Sequence, residues 1–144
     1  MYHDALLAIV HHVAVFSIAA ILFAEWTLLR PGITPTQLRL VSRMDSAYGM
    51  FAMLALVIGF SRAVYGAKGW AFYAGNPVFW AKIAVFAIIG GLSAVPTIAL
   101  IRWKRAGAPT DGQVQGLRVW LNAQVALFLL LPTLAALMAR GIGH

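Results

Sequence analysis

The chain has 144 residues, 62% of them hydrophobic and 10% charged, with no cysteine. Soluble domains carry about 25% charged residues, so a water-soluble globule is excluded; without cysteine, so are disulfides, thiolate metal sites and thiol catalysis. The net charge of +7 sits on residues that flank apolar stretches, which points to lipid headgroups and membrane topology rather than to nucleic acid.

A helix needs about 20 apolar residues to cross a hydrocarbon core of roughly 30 Å. Four stretches qualify: residues 5–29, 47–66, 78–101 and 117–139. Backbone polar groups in lipid must bond within their own segment, so each is expected to be an α-helix. The expectation is an all-α integral membrane four-helix bundle, one transmembrane domain over residues 1–144.

The first span carries His11 and His12 about two turns in, where ring nitrogens need partners from protein, ligand or metal. Ionisable groups inside a span are functional candidates by default. Neighbours on a helix stand about 100° apart, so one histidine faces the bundle while the other faces lipid or a partner. Glu25 lies near the end of this span, and Pro31 and Gly32 stop it. The span lacks a basic leading region and is too long for the apolar part of a cleavable signal peptide.

The second span opens near Asp45 and Tyr48 and carries Arg62 four residues from its far end. Asn76 and Pro77 introduce the third, with proline at a favourable first-turn position, followed by Trp80 and Lys82. Arg118 borders the fourth, and Asn122 lies one turn inside it. Pro96 and Pro132, inside spans three and four, predict kinks. Small residues four apart, Ala55/Gly59, Ala87/Gly91 and Gly90/Ala94, permit close helix approach, within the bundle or between copies.

Charge bias sets the orientation. The first connection carries Arg30, Arg39 and Arg43, and the third carries Arg102, Lys104 and Arg105 with Arg118 at its edge; the second has only Lys68. Connections one and three are therefore expected in the cytoplasm of a bacterial inner-membrane protein, with both termini periplasmic. Trp26, Trp103 and Trp120 then fall at the inner interface, and Trp70 and Trp80 at the outer one, as aromatic belts require.

Depth gathers the polar residues into two layers. His11 lies six residues below Ala5, about 9 Å at helical rise, and Arg62 and Lys82 lie at similar depth from the same side. Three helices contributing His, Arg and Lys make an electropositive pocket. Such a pocket suits an anionic ligand, for instance the propionates of a porphyrin whose iron binds His11 or His12. The competing reading is that Arg62 and Lys82 snorkel to headgroups. Near the opposite side, Glu25, Asp45, Tyr48 and Asn122 form a second layer. There a carboxylate pair with Arg43 or Arg118 is expected to lock helix ends together. His11 and Glu25, four turns apart, share a face.

Other chemistry finds little footing. Ser17, Ser61 and Ser93 have no His/Asp partnership for hydrolysis, no phosphate-cradling glycine motif is present, and Met50 and Met53 sit far from His11 for a soft Cu(I) site. Spans two to four contain no histidine, so one protomer lacks the ligands of a diheme cytochrome.

Six stretches carry a resemblance: "HDALLAIVHH" at 3–12, "AEWTLLRPG" at 24–32, "YGAKG" at 65–69, "GNPVFWAK" at 75–82, "GLSAVPT" at 91–97 and "ALMARGIG" at 136–143. Together they resemble a bacterial family of small four-helix membrane proteins of unknown function, across nearly the whole chain. A more distant similarity is to the membrane protoporphyrinogen oxidases and copper-resistance D proteins, through an early histidine (His11 or His12) and a W-x-K at Trp80 and Lys82. That similarity implies heme b binding or porphyrin handling.

The sequence reading is an inner-membrane protein with a heme b or porphyrin site made by His11, His12, Arg62 and Lys82, and the histidines as metal ligands. Whether it is an enzyme stays open. The alternatives are a non-enzymatic subunit or assembly factor of a larger complex, and a small transporter acting as an oligomer. Expected partners are the bilayer and either a second copy, as a homodimer, or a larger membrane complex.

Overall fold

The computed structural model describes residues 2–143. Among these there are helices and no strand: α1 (Tyr2–Leu28), α2 (Pro35–Tyr65), α3 (Gly69–Ala74), α4 (Pro77–Ala106), α5 (Asp111–Phe128) and α6 (Leu130–Ala139). Four helical segments are long and apolar enough to cross a membrane: α1, α2, α4 and the α5–α6 pair. The helices run past the expected spans, most of all in α2, which starts twelve residues before residue 47. The cause is local. Thr34 caps α2 through a reciprocal capping box with Gln37, and Pro35 opens the first turn, a device that satisfies two orphan N–H groups at once. Thr110 and Gln113 repeat the same box at α5.

The helices form a ring in which α1 packs on α2, α2 on α4, α4 on α5, and α5 on α1. Two close contacts fix the α1–α2 register. A Cβ on Gly59 would lie 3.2 Å from His11 Cε1, and one on Gly66 would lie 2.9 Å from Asp4 Oδ1. The antiparallel pairing therefore sets His11 beside Gly59 and, by counting along both helices, Glu25 beside Asp45. Ile18, Leu22, Leu29, Val41, Ile89, Leu100, Val114 and Leu121 fill the centre, each fully buried.

We call the end with the N-terminus, α3 and residues 140–143 the tail end, and the other the basic end. At the basic end the Gly32 N–H donates to Asp111 Oδ1 (2.8 Å), tying the two basic connections together. Arg118 donates from Nη1 to the carbonyls of Trp26 and Leu29, both at 2.8 Å. α1 has no basic residue in its own last turn, so α5 supplies the cation that its negative dipole end favours. Trp26 Nε1 donates to Asn122 Oδ1 at 2.7 Å. Trp26 and Trp103 are thus turned inward, and Trp103 joins the core cluster, whereas Trp70, Trp80 and Trp120 stay exposed.

The two internal prolines behave differently. α4 runs unbroken through buried Pro96. The fourth span is interrupted at Leu129, three residues before Pro132. Proline lacks the N–H that would bond the carbonyl four residues back, here Phe128. The small-residue pairs also divide. Ala55 is buried and Gly59 meets His11, so that face serves internal packing. Gly90 and Gly91 are exposed, and an added Cβ would meet nothing within 4 Å.

Candidate functional site

A cavity of about 570 Å³ occupies the tail-end half of the bundle. His11, His12, Arg62 and Lys82, picked out from depth along separate helices, all line it. Lys68, from the α2–α3 connection, lines it as well, and no lining residue is acidic. Five nitrogenous side chains without a carboxylate make the cavity a site for negative charge.

The groups are stacked by level. Arg62 lies one turn closer to the tail end than Gly59, which faces His11, and Lys82 lies in the second turn of α4. The cations therefore sit near the mouth of the membrane layer, the histidines about one turn deeper, and apolar residues such as Ile18, Phe86 and Phe128 below them. Arg62 Nε is buried and has no hydrogen-bond partner. An unpaired buried charged group is costly unless something else completes it.

The two histidines are not equivalent. Their rings stand 6.0 Å apart, nearly perpendicular. His11 is half-buried against Gly59, with its Nδ1 buried and unpartnered. His12 is exposed at the edge of the cavity, and its Nδ1–H donates to the Ala8 carbonyl at 2.6 Å. A carbonyl only accepts, so this bond puts the proton on Nδ1 and leaves the Nε2 lone pair free. Metal-bound histidines characteristically donate their other ring N–H in this way, which fixes tautomer and ring orientation.

Aromatic residues that sequence reasoning passed over line the tail end of the cavity. Phe72 and Tyr73 of α3 and Phe79 of α4 line the cavity; Phe79 meets Trp70 and Trp80 edge to face, as Phe72 meets Tyr73 and Trp70 meets Trp80, and Tyr73 tilts against Phe79. Lys68 Nζ lies 4.3 Å above the Phe72 ring, a cation–π contact. The available signal was the density of aromatic residues in "GWAFYAGNPVFW", in a connection too short to read as a span. Gly69, at φ +73°, makes the turn between α2 and α3.

The second polar layer also forms, without the expected ion-pair lock. Asp45 accepts from the Thr97 hydroxyl at 2.9 Å. Glu25 is buried, and its Oε1 has no hydrogen-bond partner. Arg43 is exposed, and Arg118 is bound to the α1 carbonyls instead. The helix terminus offers Arg118 two acceptors side by side, whereas Glu25 lies a turn away and faces α2. Gln124, also fully buried, leaves Nε2 without a partner.

No three-residue His/Cys/Asp/Glu metal cluster occurs among the described residues. No curated protein and no solved structure matches the chain. The predicted-membrane-protein family DUF2214 matches residues 3–143, and the chain belongs to it.

Proposed function

We propose that the cavity binds heme b, which His12 would hold through Nε2 while Arg62 and Lys82 would receive the propionates. The observation that carries this reading is the His12 Nδ1–H to Ala8 bond, which presents the other imidazole nitrogen in a cavity that also holds Lys82 and Arg62, whose Nε is buried without a partner. The residues fit such a group in three further respects. The volume lies within the roughly 300–1,000 Å³ range of small-molecule sites. The cations are nearer the interface than the histidines, matching an amphiphile with its carboxylates at the membrane surface. The deeper walls are apolar and aromatic. Heme bound there would supply one-electron chemistry. The chain's part is to orient it, neutralise its carboxylates and keep water from its apolar face.

Seven Lys/Arg residues at the basic end against Lys68 and Arg140 at the tail end support an inner-membrane orientation with the site near the outer leaflet. A homodimer or larger membrane complex belongs to the same reading, because only one helix of the chain brings histidine to the cavity and a further ligand would come from a second copy or a partner.

Hemin titration of the purified protein tests the proposal. The wild type should develop a Soret band that saturates at one heme per chain. His12→Ala should abolish it, and His11→Ala should weaken binding while keeping the band. A wild type that takes up no hemin contradicts the reading.

A further inference from the structure

The ring of helices is not closed over its whole length. α5 packs against α1 near the basic end, where Trp26 bonds Asn122 and Arg118 reaches the end of α1. Beyond the interruption at Leu129, α6 packs on α4, and no Cα of α1 lies within 8 Å of one in α6. The break before Pro132 thus separates the two walls in the half of the bundle that contains the cavity.

Residues on either side of the separation line the cavity and also face outward. Phe16 of α1 is 70% exposed, His12 beside it is exposed, and Leu131 and Ala135 of α6 are half-buried opposite them. At the tail end α3 packs on α2 and α4, with Phe72 and Tyr73 lining the cavity, and Asn76 Nδ2 donates to the Ile142 carbonyl at 3.4 Å, holding the C-terminal turn beside the start of α4. The gap lies between two helices apolar enough to cross a membrane, so it faces hydrocarbon, and its rim is apolar apart from His12.

We infer that the ligand enters and leaves sideways through the lipid, by the gap between α1 and α6. The inference rests on the cavity being a tetrapyrrole site, and it narrows the substrate class to an amphiphilic tetrapyrrole dissolved in the bilayer. Such a molecule lies in a leaflet with its carboxylates at the headgroups and its ring among the chains. That posture already matches the stacking of Arg62 and Lys82 above His12, so sideways movement brings each group to its partner without inversion. The site is accordingly one of exchange with the membrane, and the bound tetrapyrrole is not permanently enclosed.

The chain has no cysteine, so the double variant Phe16→Cys/Ala135→Cys carries the only two thiols, one on each side of the gap. The full-length variant in lipid vesicles is bridged with a bifunctional maleimide, before or after loading with hemin. Bridging before loading should slow hemin uptake from the vesicle lipid at least tenfold relative to the unbridged variant. Bridging after loading should slow transfer of heme to apomyoglobin by a similar factor. Ala135→Trp, which fills the gap without a bridge, should slow both processes. Hemin binding at equal rates with and without the bridge would overturn sideways passage while leaving the heme site intact. Thiols that cannot be bridged would contradict the gap itself. Failure of the wild type to bind hemin would remove the site on which the inference rests.

Discussion

Arg62 and Lys82 are the residues whose roles separate most cleanly by chemistry. If they receive propionates, they act on ligand charge and not on ligand shape. The double variant Arg62→Gln/Lys82→Gln should weaken hemin binding at least tenfold, since a hydrogen bond to a charged group contributes about 1.5–3 kcal/mol and tenfold in affinity is about 1.4 kcal/mol. Hemin dimethyl ester, which lacks the carboxylates, should bind both forms alike. Equal losses for acid and ester would assign these residues to packing. The clustering of His11, His12, Arg62 and Lys82 was legible because depth follows from residue count at a fixed helical rise. The division of labour between the histidines was not. It depends on ring orientation, on the His12 bond to Ala8 and on the approach of Gly59 to His11.

At the scale of elements, each long helix begins before the apolar stretch it contains, most of all α2. The early turns of α2 contain Thr36, Gln37, Arg39 and Arg43 and look like a connection. The Thr34–Gln37 box and buried Leu38 and Val41 make them helix. The two prolines looked alike in sequence, yet only the one in the fourth span accompanies an interruption. α3 was missed because six residues carry no usable periodicity. The expected carboxylate–arginine lock failed because backbone carbonyls compete for the same guanidinium. Arg118 thereby joins α1 to α5 at the basic end, away from the cavity. Arg118→Ala should destabilise the bundle by roughly 1–3 kcal/mol, the cost of leaving buried acceptors without a donor, while leaving hemin affinity unchanged. Thermal unfolding in detergent, paired with a hemin titration, checks both halves; an unchanged unfolding temperature would mean that water satisfies those carbonyls equally well.

The whole molecule is a four-helix membrane bundle in which α1 meets α5 toward the basic end but not α6 toward the tail end, with an electropositive cavity in the tail-end half. Orientation decides which leaflet that cavity meets. Reporter fusions at Ala108 and at His144, which lies outside the described residues, should report opposite compartments, with Ala108 cytoplasmic; the same compartment for both would contradict the single crossing by α5–α6 that separates the two positions. The most direct test of the central claim is the absorption spectrum of the protein purified gently from heme-replete membranes, recorded oxidised and dithionite-reduced. The account predicts a Soret band with reduced-state α and β bands of a b-type heme, absent from His12→Ala purified in parallel. A colourless protein that also stays colourless after incubation with hemin would contradict it.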